Sequence, residues 1–349
     1  MNSQQAVELL KQMIAIPSHS RDEKGVADML QNYVEQLGYK VNRCVHNLWI
    51  QSSFWSNEKP TLLLDGHIDT VKPADGWQTD PYTPVEQDGK LIGLGSNDTG
   101  GSVVSLLATF LELDKKEQPY NIIWLASTEE EVTGENGIRA VLQALPKIDV
   151  AIVGEPTGMQ PATAERGLLV LDCVATGKAG HAAREEGVNA IYEALPDIEW
   201  FKNYKFPKVS DELGGVKMTV TGVNAGTLHN VIPAECSFMV DIRINDCYTN
   251  VEIYETVCKS VKCSVKARSF KHNSSSIAKS HPIVQRCIEM GLTPFGSPTT
   301  SNQTAMNFPT LKMGPGQSCR SHTANEFIYI SEIEQAIEMY VKLLDGLKI

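Results

Sequence analysis

Several things are missing from this sequence, and each absence removes a class of protein. No apolar run approaches the ~20 residues that a membrane-spanning helix needs, so no membrane partner is expected. The first fourteen residues carry Gln5 and Glu8 and lack the basic, then apolar, pattern of a secretory signal. None of the eight cysteines forms a Cys-x-x-Cys pair; Cys258 and Cys263 are five apart, and Cys319 precedes His322 by three. Scattered cysteines in a chain of this size are expected to be free thiols in a reducing cytoplasm. Positive charge is short: 31 Lys and Arg against 42 Asp and Glu leave a net charge of −11, which argues against nucleic acid or an anionic membrane surface as partner. Neither an internal repeat nor a low-complexity tract is evident. The glycine-rich stretch at 93–101 is neither Gly-x-Gly-x-x-Gly nor a phosphate-binding loop ending in Gly-Lys-Ser/Thr.

What is present is ordinary globular material, 42% hydrophobic and 21% charged over 349 residues. At ~150 residues per domain, two domains are expected. The spacing predicts a helix capped by Ser3, a second over about 22–37 stopped by Gly38, and strands at 40–44, 48–52 and 61–64. A helix follows Gly100, then a strand at 121–126, a helix at 138–145 and a strand at 150–153. Strands alternating with helices predict an α/β domain with a mostly parallel sheet covered on both faces. From Gly167 the order changes to β-α-β-β-α-β over about 110 residues, the pattern of a ferredoxin-like unit. The polar stretch Lys271-His272-Asn273-Ser274-Ser275-Ser276 reads as the way out, and Ser331-Glu332-Ile333-Glu334 as a capping box opening a last helix. The division expected is a catalytic domain of residues 1–163 and 275–349, with an α+β domain, 164–274, inserted into it.

The chemistry centres on Leu62-Leu63-Leu64-Asp65-Gly66-His67-Ile68-Asp69-Thr70. A buried strand ends here in His-x-Asp, at the edge where α/β sheets bind ligands. Asp69 suits a carboxylate that orients the ring of a metal-binding His67. Asp98 lies directly before a helix, Glu129 and Glu130 follow the 121–126 strand, Glu155 follows the 150–153 strand, and His322 follows Gly314-Pro315-Gly316. If the strands are parallel neighbours, the first four of these sites share one rim, where their carboxylates repel one another. A bound divalent cation relieves that repulsion. Two ions ~3.5–4 Å apart need a bridging carboxylate, and Asp98 is central among the candidates. Of the adjacent Glu129 and Glu130, one can ligate while the other serves as general base; the alternative is that Glu129-Glu130-Glu131 is a solvated acidic turn.

These motifs together resemble the M20 family of metallohydrolases, which includes acetylornithine deacetylase, succinyl-diaminopimelate desuccinylase, aminoacylases and related carboxypeptidases. The resemblance runs from Gly66-His67-Ile68-Asp69 through Asp98-Thr99-Gly100-Gly101, Glu129-Glu130 and Gly154-Glu155-Pro156 to Gly314-Pro315-Gly316, His322 and Glu326. It implies two divalent ions, zinc or else cobalt. His67 and Glu155 would hold one and Glu130 and His322 the other, with Asp98 bridging and followed by a cis peptide to Thr99. It implies Glu129 as general base and Asp69 as the residue orienting His67. In the inserted domain, Gly177-Lys178-Ala179-Gly180-His181 resembles the family's lid motif, so His181 is expected to stabilise the oxyanion, in the neighbouring subunit of a homodimer formed through that domain. Asn230 and Arg243 resemble lid residues that bind a substrate carboxylate, for which an Arg fork is suited. The stretch Ser301-Asn302-Gln303-Thr304 departs from relatives, which commonly have Asp there. The reaction implied is hydrolysis of an amide, with removal of an acetyl or succinyl group from a small-molecule N-acyl amino acid of the ornithine or citrulline type, as in arginine biosynthesis. A di- or tripeptide peptidase of the same family is the alternative, and a catalytically silent binding protein a further one.

Overall fold

Two units make up the structure, a computed structural model that describes residues 1–184 and 186–349. The first comprises Met1–Thr163, Ser276–Phe295 and Ser301–Ile349, and the second Ala164–Ser275 with Gly296–Thr300. The first unit opens with α1 (Ser3–Ile14), α2 (Lys24–Gln36), β1 (Asn42–Cys44), β2 (Asn47–Gln51) and β3 (Thr61–His67). It goes on through α3 (Gly101–Leu113), β4 (Asn121–Ser127), α4 (Ile138–Leu142) and β5 (Val150–Val153). The second unit contributes β6 (Gly167–Thr176), α5 (Ala190–Asn203), β7 (Lys217–Ala225), β8 (Glu235–Ile244), α6 (Asn250–Ser260) and β9 (Ser264–Ala267). The chain then returns through α7 (Pro282–Glu289), β10 (Thr310–Lys312) and α8 (Ile330–Leu344).

The main sheet of the first unit runs β1-β2-β4-β3-β5-β10. From β4 to β10 it is parallel, and β2 lies antiparallel against β4. An unbroken leucine run needs an apolar environment on both sides, because successive side chains of a strand point to opposite faces. Leu62 and Leu64 pack with Ile122 and Trp124 into the core built with α1, α3 and α8. Leu63 turns the other way, to Ile123, Leu125 and the α4 residues Ile138 and Val141. Each such leucine contributes about 1.5–3 kcal/mol by leaving water. The fold is therefore α/β, with helices on both faces of a mixed sheet whose central strands are parallel and whose outer strands are antiparallel. Because β3, β4 and β5 are parallel, the residues that follow them all emerge at one rim.

The second unit has an antiparallel sheet in the order β7-β8-β6-β9 backed by α5 and α6. Burial alternates along β6 and β8. Leu169, Leu171 and Cys173 meet Phe238, Val240 and Ile242 there, with Phe201, Ile253 and Val257 from the two helices. This is the ferredoxin-like arrangement. The short segment Gly296–Thr300, expected with the catalytic domain, belongs to this unit: the Ser297 carbonyl accepts the Arg166 amide at 3.1 Å.

Two helix starts differ from expectation. Asn2, not Ser3, caps α1, accepting the Gln5 amide at 2.9 Å. The last helix begins at Ile330, because the Glu332 carboxylate reaches back to the Tyr329 amide at 2.9 Å, so Ser331 lies inside it rather than capping it.

Candidate metal centre

His67 is the last residue of β3 and is buried. Its Nδ1 lies 2.9 Å from the Asp69 carbonyl oxygen and 3.5 Å from the Asp69 carboxylate. A carbonyl only accepts, so Nδ1 carries a proton and Nε2 faces Asp98 Oδ1 at 3.2 Å. The nearer partner of the ring is thus the backbone of Asp69. The Asp69 carboxylate has further work: it accepts from Ser20 Oγ at 2.7 Å and from the amides of Glu130 and Glu131 at 3.1 and 3.2 Å.

Asp98 sits in a tight turn immediately before α3, and its peptide bond to Thr99 is cis. Gly95 opens the turn with φ of +74°, a conformation in which glycine meets no steric penalty. The buried carboxylate of Glu326 organises the turn by accepting three amides, those of Gly95 at 3.1 Å, Asn97 at 2.8 Å and Asp98 at 2.9 Å. The Thr99 hydroxyl donates to the His67 carbonyl at 3.0 Å, which ties the turn to the end of β3. The two oxygens of Asp98 face two different histidines, Oδ1 towards His67 and Oδ2 towards His322 Nε2 at 3.6 Å.

The acidic run after β4 is placed one residue out of the expected register. Glu129 has φ of +55°, so the backbone turns left-handed there, and its side chain folds away from the rim. Its carboxylate accepts from the Asn136 amide at 3.2 Å and from Asn136 Nδ2 at 3.0 Å. It lies over Gly134, where any Cβ would collide with it. Glu131 takes the place expected for Glu130: ligand atoms of His67, Asp98 and Glu131 all lie within 4.8 Å of one another, and Glu131 Oε1 accepts from His322 Nε2 at 2.9 Å. Glu130, half-buried, feels the charges of His67, Glu131, Asp69 and Asp98. The signals in the sequence were the third acid of the run and Gly134, which permits the first to fold back.

The electrostatics locate the remaining groups. Burial raises the Glu130 carboxyl to about 8; His67 eases this, while Glu131, Asp69 and Asp98 reinforce it. Burial likewise holds Glu155 well above the usual range, with Glu130 and Asp98 adding to the effect and His67 and Lys312 opposing it. The bond to Glu131 lifts His322 to about 9. Four carboxylates and two imidazoles crowd one rim, and their charges are poorly compensated by the protein alone. Nitrogen and oxygen donors of this kind are a suitable set for a divalent ion such as zinc.

The other expected site residues lie in the second unit. His181 is exposed, in a two-residue strand pairing with Val231, and its Nδ1 accepts from the Ala183 amide at 3.1 Å. The Asn230 carbonyl accepts from the Ala182 amide at 3.0 Å, so the two stretches that resemble lid motifs are hydrogen-bonded neighbours. Arg243, on β8, is engaged by Asp241 through Nε at 2.9 Å and Nη2 at 3.1 Å.

A rim of histidine and carboxylates at the carboxyl edge of a parallel sheet, with an inserted α+β unit, defines the class of metal-dependent hydrolases. Residues 63–346 match peptidase family M20/M25/M40, and the chain belongs to that family. It is 28% identical to an acetylornithine deacetylase of Proteus mirabilis, covering 97% of this chain and 96% of that protein. It is 26% identical to a succinyl-diaminopimelate desuccinylase of Sulfurimonas denitrificans, covering 98% and 99%. Among solved structures, a tripeptidase from Staphylococcus aureus has the same fold, with a TM-score of 0.76 at 19% identity over 99% of this chain and 98% of that one. Among the described residues, no helix is long and apolar enough to cross a membrane.

Proposed function

We propose that the protein is a dizinc deacylase that removes an acetyl or succinyl group from an amino acid of the ornithine or citrulline type. The observation that carries the reading is the convergence of His67, Asp98 and Glu131 within 4.8 Å. The choice of an N-acyl amino acid is supported by similarity to deacetylases and a desuccinylase along nearly the whole chain. His67, Asp98, Glu131, Glu155 and His322 would hold the two ions. Asp98 would be shared, in keeping with its two oxygens facing two histidines. Cobalt would serve in place of zinc.

Bound divalent ions supply a Lewis acid for the amide carbonyl and acidify water. Glu130, rather than Glu129, is the general base. Glu129 is turned onto Asn136 and Glu131 stands among the metal-binding donors, which leaves Glu130 as the carboxylate of the run to take and return a proton. It removes a proton from the attacking water and delivers one to the amide nitrogen as the C–N bond breaks, releasing a carboxylic acid and a free amine. Asn230 and Arg243 bind the substrate carboxylate, and His181, supplied by the partner in a homodimer, donates to the oxyanion. The protein works in the cytoplasm.

The test is hydrolysis of a panel by zinc- or cobalt-loaded protein: N-acetyl and N-succinyl derivatives of ornithine, citrulline and other amino acids, beside di- and tripeptides. The expected outcome is kcat/KM highest for an N-acyl ornithine or citrulline. Preference for peptides with a free amino terminus would replace the reading with a peptidase. Metal-loaded protein that cleaves none of them would overturn it.

A further inference from the structure

The Glu129–Glu131 turn is held by its backbone, and one of its two supports lies outside every site motif. Three consecutive amides of this turn are each taken by a buried carboxylate oxygen. Glu130 and Glu131 donate to the two oxygens of Asp69. Glu129 donates to Oε1 of Glu23 at 3.2 Å. Glu23 also accepts the Arg21 amide at 2.7 Å and is completely buried.

Glu23 stands at the N-cap position of α2, where a side chain ordinarily satisfies the free amides of its own helix. It makes no such bond and points inward. Its second oxygen is buried without a hydrogen-bond partner, which is costly for a carboxylate. Helix capping therefore does not account for this residue. The loop that carries it is stitched to the metal rim at further points. The Ser20 amide donates to the Thr70 carbonyl at 3.3 Å, the Thr70 amide to the Ser18 carbonyl at 2.9 Å, and the Ser20 hydroxyl to Asp69 at 2.7 Å.

We propose that Glu23 is a positioning residue: by accepting the Glu129 amide it fixes the left-handed turn that directs Glu129 away and presents Glu130 and Glu131 to the metal rim. The inference rests on the functional reading above. If the amide of Glu129 is released, the turn can relax towards an extended chain, and the register of the acidic run changes with it. Glu23 touches neither substrate nor ion; it acts through the backbone of the turn.

The experiment compares wild type with Glu23→Leu, Glu23→Asp and Glu23→Gln, reading cobalt binding to metal-free protein by calorimetry together with kcat and KM. Outer residues that orient metal ligands typically change affinity or activity by about 10- to 100-fold. Glu23→Leu, which removes the acceptor, should lose that much in cobalt affinity and in kcat, with KM changed by less than about threefold. Glu23→Asp keeps a buried carboxylate but withdraws it by one methylene; it should show the same losses and decides the matter if the leucine variant does not fold. Glu23→Gln keeps an oxygen acceptor and should recover most of both. Folded Leu or Asp variants with wild-type affinity and kcat would overturn the inference, as would a Gln variant as impaired as the other two. Wild-type protein that binds no metal overturns the functional reading and this inference together, whereas impaired Leu and Asp variants with a recovered Gln variant support it whichever amide the protein cleaves.

Discussion

His322 Nε2 donates to Glu131 Oε1 at 2.9 Å across 191 residues of sequence, and so marks Glu131 as the member of the acidic run that meets the histidines of the rim. Glu131 lies with His67 and Asp98 among the metal-binding donors, while Glu129 is turned back onto Asn136.

The three glutamates should respond differently to the same substitution. Glu130→Gln is expected to lower kcat by about 100- to 10,000-fold, the range for loss of a general acid–base group, and to keep both ions. Glu131→Gln is expected to weaken metal binding. Glu129→Gln should retain activity within a few-fold, because it keeps an acceptor for Asn136. Metal titration and steady-state kinetics on the three variants check this; a Glu129→Gln variant as inactive as Glu130→Gln would reverse the assignment.

The metal-free site should depend on pH in a definite direction. Glu130 and Glu326 are raised to about 8 from 4.5, by burial first in each case, and His322 to about 9 from 6.5. Each group binds its proton more tightly folded than unfolded. The associated stability is thus fully present below the unfolded values and is lost as pH rises through about 8 for the two acids and about 9 for the histidine. Metal-free protein is expected to melt at lower temperature at pH 9 than at pH 7, with the difference reduced by zinc. At pH 7, zinc binding should release protons, seen in calorimetry as heats that vary with the ionisation enthalpy of the buffer. Heats independent of the buffer would contradict this.

Glu326→Ala should be among the most damaging single changes in the first unit. It leaves the amides of Gly95, Asn97 and Asp98 without their acceptor, and a buried unsatisfied donor costs about 1–3 kcal/mol. The expected result is a lower denaturation midpoint together with weaker metal binding; loss of neither would show that the Asp98 turn holds itself.

Sharing of His181 between subunits is tested by mixing His181→Ala with Glu130→Ala under conditions that exchange subunits. A heterodimer would regain one intact site, so activity should recover towards about a quarter of wild type on random mixing. An oxyanion donor contributes roughly 2.7–4 kcal/mol, so each parent is expected to be nearly inactive. No recovery after demonstrated exchange would confine His181 to its own chain.

The sheet and the rim were legible because leucine runs and strand–helix alternation are local signals, and they put His67, Asp98 and Glu155 just past the ends of buried strands or at a helix start. The register of the acidic run was not. Alternation holds only for extended backbone, and the left-handed φ of Glu129 depends on Gly134 and on a carboxylate 106 residues away. Glu326 was visible as part of a motif, but its three amide bonds were not, since they join stretches more than 200 residues apart. Glu23 gave no sign at all: beside a helix start, a glutamate looks like any other first-turn acid.

The most direct measurement is anomalous diffraction from crystals of zinc-loaded protein, recorded on both sides of the zinc absorption edge. The expected result is two peaks with Asp98 between them and Glu131 and His322 bound to the same ion, while Glu129 stays on Asn136. A single peak, no peak, or a zinc ion bound by Glu129 would contradict it.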